Sequence, residues 1–514
     1  MLLSQLVREI PEAAAVALPE AEVTGVTADS RQVQPGAVFV AVRGGTADGH
    51  RFLGEAARRG AALAVGEDPP ADLGIPYLRV ADSPLALAQL AAAWHGFPAR
   101  RLVMIGVTGT DGKTTTANLI YRILVAAGLR AGMITTVNAV IGERVLDTGF
   151  HVTTPEAPAV QGYLAEMARA GLTHCVLEAT SHGLAQRRVA ACDFDIAVVT
   201  NVTHEHLDYH GTWEAYLEAK ARLFTSLADT APKPGAPARL GVLNRDDASY
   251  ELLRQQTSVR QISYGLDPQA DLRAESIQAS AKGLRFTARG PGYAQEIHSA
   301  LLGGFNVSNC LAAFSVGVEG LALAPAVAAR GIAALTGVPG RMERIELGQP
   351  FTAIVDFAHT PNALRRALET ARELTDGRVI AVFGAAGLRD RDKRARMAAT
   401  SVELADATIL TAEDPRTESL DDILEMMAAG ARAAGGVEGE TVWRVPDRGQ
   451  ALRFAVRRAQ PGDLVIVCGK GHEQSMCFGE TEHAWDDRVA MRAALAERLG
   501  VDGPAMPGLP TSSD

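Results

Sequence analysis

An apolar run from Leu102 to Val107, a turn reading T-G-T-D-G-K-T-T from Thr108 to Thr115, and a helix-periodic stretch from Ala117 to Ala127 follow one another closely. In the stretch, Leu119, Ile120, Ile123, Leu124 and Ala127 recur at helical spacing. Strand, glycine-rich turn, helix is the context in which a loop binds phosphate. Gly109 and Gly112 let backbone amides converge, the helix N-terminus adds partial positive charge, and Lys113 supplies a full one. The hydroxyl of Thr114, just after the lysine, is placed to ligate Mg²⁺. The loop departs from the general pattern, because Val107 stands where the first glycine is expected and Gly106 comes one residue early.

The same element succession sets the fold class. Apolar runs at Met133 to Thr136, His174 to Leu177, Ile196 to Thr200 and Leu240 to Leu243 alternate with helical stretches, which predicts a mostly parallel sheet with flanking helices. Residues 267–302 alternate polar and apolar positions and read as an antiparallel extension. Ahead of the loop, short strands at Val23 to Ala28, Ala37 to Val42 and Ala62 to Val65 precede a helix over Leu85 to Trp94 and a hinge at Gly96-Phe97-Pro98. Turn formers at Gly337-Val338-Pro339-Gly340 open a third α/β unit, with strands at Thr352 to Asp356, Val379 to Phe383, Ala407 to Leu410 and Asp463 to Cys468. The expected class is α/β in three domains: 1–99, small; 100–337, central and of phosphate-loop type; and 338–503, Rossmann-like. Residues 504–514, with three prolines and two serines, read as a disordered tail.

Composition narrows the partners. The length of 514 residues fits about three domains of roughly 150 residues. A net charge of −10 argues against a nucleic-acid partner, since phosphate backbones are bound through basic surfaces. Five scattered cysteines without a C-x-x-C pair read as reduced thiols of a cytoplasmic protein. No signal peptide and no membrane-spanning stretch are read. Nothing demands a partner chain, so a monomer is expected.

Several strand-end loops carry chemistry. Glu178, in L-E-A-T-S-H-G-L, is a carboxylate placed to share Mg²⁺ with the phosphate loop. Asn201 to His210 reads N-V-T-H-E-H-L-D-Y-H, with histidines and carboxylates suited to a metal. Lys220, on a helical stretch, reads from its surroundings as a surface lysine. In the third unit, G-R-M-E at Gly340, D-F-A-H-T-P at Asp356, F-G-A-A-G-L-R-D-R-D-K at Phe383, E-D-P-R at Glu413 and G-K-G-H-E at Gly469 bring opposed charges to strand ends. Several such loops on one domain imply a pocket for a zwitterion.

In their order, these motifs resemble the Mur ligase family, in its MurE type. The resemblance runs from Asp29-Ser30-Arg31 to Asp486-Asp487-Arg488. It implies an ATP-dependent, ADP-forming ligase of peptidoglycan precursor synthesis. Its members add a diamino acid to UDP-N-acetylmuramoyl-L-alanyl-D-glutamate through an acyl phosphate. On that footing the ATP site is Thr108, Gly109, Thr110, Asp111, Gly112, Lys113, Thr114 and Thr115, with Asn306 and Asn309 beside adenine and Arg341 and Asp356 as further nucleotide contacts. Thr114 and Glu178 would hold one Mg²⁺, and His206 and Lys220 a second, with a carbamate on Lys220. Lys113, Lys220, His206 and His359 are the implied catalytic residues. Ser30, Thr153, Thr154, Thr180, Ser181, Gln186 and Arg188 match positions that hold the UDP-muramyl dipeptide. Phe357 stands where the family often has tyrosine.

Arg389, Glu413, Asp414, Arg416, Gly469 and Glu473 are the implied amino-acid contacts. Relatives adding meso-diaminopimelate usually read D-N-P-R where this chain reads Glu413-Asp414-Pro415-Arg416. The charge of Asp414, together with Glu473, is expected to disfavour a second carboxylate and to favour L-lysine or L-ornithine. Meso-diaminopimelate is the alternative, and a folylpolyglutamate synthetase-like ligase is a more remote one. The D-S-R segment and the G-K-G-H-E loop argue against the latter.

Overall fold

The computed structural model describes residues 1–16, 18–44, 47–68, 72–146, 154–203, 207–280 and 282–511. The chain forms two compact units. One comprises Met1–Glu275, Thr287–Glu296 and Ser308–Ile332, and the other Ser276–Phe286, Ile297–Val307 and Ala333–Asp514.

The first unit opens with a parallel sheet in chain order, β1 (Val26–Thr27), β2 (Val38–Val40), β3 (Leu63–Gly66) and β4 (Tyr77–Arg79). The apolar run of β2 is buried on both faces, because Val38 and Val40 join one core while Phe39 and Ala41 join another. The helix Ser83–Trp94 is capped by Asp82, whose carboxylate accepts the Leu85 amide. Gly96 and Phe97 then adopt left-handed φ of 67° and 52°, which turns the chain where the hinge is expected.

The second sheet is built on β5 (Val103–Thr108), β6 (Ala131–Ile134), β7 (Ala139–Ile141), β8 (Arg144–Leu146), β9 (His174–Glu178), β10 (Ile196–Val199), β11 (Leu240–Asn244) and β12 (Arg260–Gly265). Its order from β12 is β12-β11-β10-β5-β9-β6-β7-β8. The pairs from β12 to β6 are parallel, and β7 and β8 add an antiparallel edge. β13 (Leu272–Ser280), β14 (Gly283–Gly290) and β15 (Tyr293–Ser299) follow β12 outward as successive neighbours, and β13 pairs with β12 in parallel. Only two residues join β13 to β14 and β14 to β15, and connections that short require antiparallel pairing, so the expected antiparallel extension applies beyond β13 and not at its junction with β12. β5 lies between β9 and β10, so the loop after β5 emerges between the carboxyl ends of its two neighbours.

In the second unit, β16 (Glu343–Arg344), β17 (Thr352–Asp356), β18 (Val379–Phe383), β19 (Ala407–Leu410), β20 (Val442–Arg444) and β21 (Leu464–Cys468) form a sheet in the order β16-β17-β21-β18-β19-β20. All pairs but β16–β17 are parallel. Alternate residues feed two cores: Ile354, Ala381, Leu410 and Ile466 face one, and Val355, Ile380, Ile409 and Val465 the other. Both faces are therefore covered, as continuous apolar strands demand. A hairpin, β22 (Ser475–Phe478) and β23 (Thr481–Ala484), follows the sheet.

The expected disordered tail is a correction. Leu509 is 6% exposed and joins the same core as Trp485, and Met506 packs against that core. The Thr511 hydroxyl donates to Asp447 (2.9 Å). Prolines in this segment remove backbone donors but do not prevent its apolar side chains from docking.

Candidate functional site

The phosphate loop sits between β5 and the helix Lys113–Ala126, as the sequence predicts. Residues beyond the ends of β10 fix its shape. Thr110 N donates to Asn201 O (2.7 Å), Asp111 N to Asn201 Oδ1 (3.0 Å), and Thr200 Oγ1 to Asp111 O (2.6 Å). Thr110 Oγ1 accepts the Thr203 amide and pairs with the Tyr216 hydroxyl at 3.0 Å. Gly109 has a φ of 149°, and a Cβ there would lie 1.9 Å from Thr200 Oγ1. Gly112, at φ 80°, is equally crowded by Asn309 Oδ1. Both glycines are required by close approach and by backbone angle together.

Lys113 opens the helix, and its ammonium donates to Thr110 O (2.7 Å). The Thr114 hydroxyl donates to Glu178, 3.0 Å from Oε2 and 3.2 Å from Oε1, and the Thr136 amide donates to the same carboxylate. Glu178, Thr114 and Thr115 are buried, and Thr108 completely so. A buried hydroxyl and carboxylate meeting beside a helix N-terminus form an oxygen donor set that fits a hard divalent cation.

Lys220 is not a surface residue. It is 1% exposed, and its Nζ donates to Gly109 O (2.6 Å) while lying 4.4 Å from the centre of the Tyr216 ring. The helix Trp213–Asp229 buries the face carrying Tyr216, Leu217, Lys220 and Phe224. The long amphipathic side chain runs through that core to the phosphate loop, which its sequence neighbours do not reveal. His206 lies outside the described residues, as does Thr153. The neighbouring rings of His182 and Tyr209 are 4.2 Å apart, and His210 lies 5.3 Å from Tyr216.

The remaining residues of the first unit form two groups. Thr154 bonds Glu178 O, the Thr180 amide and the Thr180 hydroxyl. Arg188 donates to Thr154 O (2.7 Å) and to Gln186 Oε1, and Thr180 caps the short helix that Ser181 begins. Thr154, Thr180, Ser181, Gln186 and Arg188 therefore form one cluster beside Glu178. Ser30 lies apart, at the small sheet, bonded to Glu55 (3.1 Å). Asn309 accepts from Thr116 (3.3 Å), whereas Asn306 falls in the second unit and bonds Leu302 O (2.7 Å).

In the second unit the strand-end loops converge. Asp356 accepts the Met342 and Ala358 amides, and burial pushes its carboxyl above the usual range. Arg341 covers the Phe357 ring at 4.4 Å, and His359 and His472 pack on that ring at 4.6 and 4.9 Å. Burial, then the charge of Arg341, pushes His472 down to about 3, so it is neutral. Gly340 has to be glycine: its φ is 63°, and a Cβ would strike His472 N at 2.1 Å.

Asp414 corrects the charge argument made from sequence. Both its oxygens accept from Lys470 Nζ (3.0 and 2.9 Å), and Oδ1 also accepts the Cys477 amide (2.8 Å). Lys470 is fully buried and pairs with Glu473 as well (2.5 Å). Asp414 is thus a neutralised brace, 56 residues distant in sequence from its partner. Glu413 differs. It is 6% exposed, its Oε2 has no hydrogen-bond partner, and burial pushes it up to about 6 against the pull of Lys393, Arg448 and Lys470. Arg416, at φ 54°, is tied to the hairpin through its backbone, and its Nε has no partner. Arg389 is exposed on the loop after β18. That loop is held by Arg394, which bonds Ala386 O and both oxygens of Glu418, while Glu418 accepts the Leu388 amide. Sequence reading missed Lys470, Arg394 and Arg448 as supports, because only folding brings their partners to them.

Among the described residues, Asp48, His50 and Asp68 form the only three-residue cluster with metal-ligand spacing. Both His50 nitrogens are engaged there, Nδ1 by Asp48 and Nε2 by the Glu67 amide.

These features define a multidomain α/β protein of the phosphate-loop type. Residues 22–95 match the Mur ligase family catalytic domain, 107–317 the Mur ligase middle domain, and 340–471 the Mur ligase glutamate ligase domain. A UDP-N-acetylmuramyl-tripeptide synthetase of Roseiflexus sp. (strain RS-1) is 46% identical over 512 residues, covering 98% of this chain and 100% of that protein. A UDP-N-acetylmuramoyl-L-alanyl-D-glutamate–2,6-diaminopimelate ligase of Geobacillus thermodenitrificans (strain NG80-2) is 40% identical, covering 93% and 96%. A solved structure of a ligase with the same name superposes with a TM-score of 0.65 at 31% identity, covering 93% and 95%. The chain belongs to the Mur ligase family.

Proposed function

We propose that this ligase joins a diamino acid to UDP-N-acetylmuramoyl-L-alanyl-D-glutamate at the expense of ATP, making the tripeptide precursor of peptidoglycan. Three domains, 1–99, 100–337 and 338–503, would bind the UDP substrate, ATP and the amino acid in turn. The observation that carries the reading is the joining of Lys113, Thr114, Glu178 and Lys220 around one glycine-rich loop.

A carboxylate attacks a triphosphate only when their mutual repulsion is offset. Lys113 would hold the β- and γ-phosphates. Thr114 and Glu178 would hold Mg²⁺, which when bound offsets the charge of the transferring phosphoryl group. By the family resemblance Lys220 and His206 would hold a second cation, and a carbamate on Lys220 would give it the negative charge that role requires. The Thr154, Thr180, Ser181, Gln186 and Arg188 cluster would bind the muramyl dipeptide next to Glu178. The carboxylate then takes the γ-phosphoryl group and releases ADP. The amine of the diamino acid displaces phosphate from the acyl carbon.

For the amino acid, the buried Glu413 with an unshared oxygen would receive the side-chain ammonium, and Arg416 a carboxylate. With Asp414 neutralised, Glu413 alone carries the preference for L-lysine or L-ornithine. The unpartnered Nε of Arg416 favours a second reading, meso-diaminopimelate, whose extra carboxylate it would meet. Phosphate release should require ATP, the muramyl dipeptide and a diamino acid together. Release without either acceptor, or with a folate instead, would overturn the proposal. Comparison of kcat/KM for L-lysine, L-ornithine and meso-diaminopimelate decides between the two readings.

A further inference from the structure

Arg448 is fully buried, yet it is the first residue of the helix Arg448–Arg458 and belongs to none of the loops described above. Its guanidinium makes four hydrogen bonds in a fixed pattern. Nε and Nη2 donate to Asp487 Oδ1 and Oδ2, both at 2.7 Å. Nη1 donates to Ala412 O (3.0 Å), and Nη2 also to Cys468 O (2.8 Å). Asp487 is itself fully buried and accepts from Trp485 Nε1 (2.8 Å).

The two carbonyls are informative. Ala412 immediately precedes Glu413, and Cys468 immediately precedes Gly469. Their strands, β19 and β21, are not neighbours, because β18 lies between them. No ladder hydrogen bond sets one loop against the other; the Lys470–Asp414 pair joins them through side chains, and Arg448 clamps the backbone at the base of each. The spacing it sets is tight: Gly469 has a φ of 114°, and a Cβ there would lie 2.2 Å from Glu413 Oε2. A buried ion pair is costly to desolvate, and an apolar pair of similar volume often serves stability as well. Position and charge are what an apolar pair would not supply.

We infer that Arg448, oriented by Asp487 and Trp485, is a positioning residue that, alongside the Lys470–Asp414 pair, sets the backbone of the Glu413–Arg416 loop against that of the Gly469–Glu473 loop and so governs affinity for the incoming diamino acid. The inference rests on the amino-acid site proposed above. Arg448 also faces Glu413 electrostatically, together with Lys393, Lys470 and Asp414, and its charge favours the ionised carboxylate.

The test uses the whole enzyme, with each substrate varied in turn. Arg448→Lys keeps the charge and loses the two-carbonyl clamp, and Asp487→Asn keeps the shape and loses the pair. Both should raise KM for the diamino acid by roughly 10-fold or more, as weakening a charge-assisted contact to the bound substrate does. KM for ATP and for the muramyl dipeptide should stay unchanged. Arg448→Met should in addition move the acid limb of kcat/KM for the diamino acid to higher pH, whereas Arg448→Lys should leave that limb in place. If Arg448→Met does not fold, the KM split in the other two variants carries the test. A parallel loss of kcat for all substrates, with every KM and the acid limb unmoved, would overturn the inference. Wild-type enzyme whose phosphate release ignores diamino acids would instead overturn the amino-acid site itself.

Discussion

Glu413 is the residue at which stability and the proposed amino-acid binding oppose each other. Its folded carboxyl titrates near about 6, above the ordinary value of 4.5, because burial disfavours the charge. The folded chain therefore holds this proton more tightly than the unfolded chain. The contribution to stability is fully present below about 4.5, falls as pH rises to about 6, and is flat above, a loss of about 2 kcal/mol. Glu413→Gln should accordingly raise the unfolding midpoint at neutral pH while raising KM for the diamino acid. In the wild type, kcat/KM for that substrate should fall as pH drops below about 6. Lys220 gives the second residue-scale prediction. Lys220→Ala should cut kcat by on the order of 100-fold or more, as removal of a preorganised charge-stabilising group does. If a carbamate is the working form, a small carboxylic acid should partly restore the rate. Glu413 was legible as a candidate from its strand-end position. Neutralisation of Asp414 was not, since counting charges along a loop cannot register Lys470, which arrives from another strand.

At the scale of elements, what was legible followed from continuity. The strands at Thr352–Asp356, Val379–Phe383 and Ala407–Leu410 and the helix ending at Trp94 were readable, because each is one apolar run or one helical period with clear punctuation. Three-residue strands such as β4 and β20 were not, since they are too short for any period to declare itself. Lys220 was misread for a related reason, because a lysine on an amphipathic helix looks solvated until its long stem is seen passing through the core. The C-terminal segment was misjudged because composition describes backbone freedom and says nothing of docking. Leu509 fills part of the core around Trp485, so Leu509→Ala should lower stability by about 2 kcal/mol, within the range for truncating a buried leucine. Urea unfolding monitored by fluorescence would measure it. An unchanged midpoint would mean that the segment is not docked in solution.

For the whole molecule, each unit places its candidate site residues beyond the carboxyl ends of a parallel sheet, where open α/β sheets bind ligands. The first unit gathers the phosphate loop, Glu178 and Lys220. The second gathers Asp356, Glu413, Arg416 and Gly469, and its supports are buried ions: Lys470 under Asp414, Arg394 under the Leu388 segment, and Arg448 under Ala412 and Cys468. No helix among the described residues is long and apolar enough to cross a membrane. The chemistry proposed for this molecule leaves a covalent product whose mass identifies both substrates. The purified enzyme should be given ATP, Mg²⁺, UDP-N-acetylmuramoyl-L-alanyl-D-glutamate and an equal mixture of L-lysine, L-ornithine and meso-diaminopimelate, and the nucleotide-sugar products weighed by mass spectrometry. A product heavier by one lysine or ornithine residue, formed in step with ADP, is expected. ATP consumed without any heavier product would contradict the ligase chemistry, and a product carrying diaminopimelate alone would contradict the role given to Glu413.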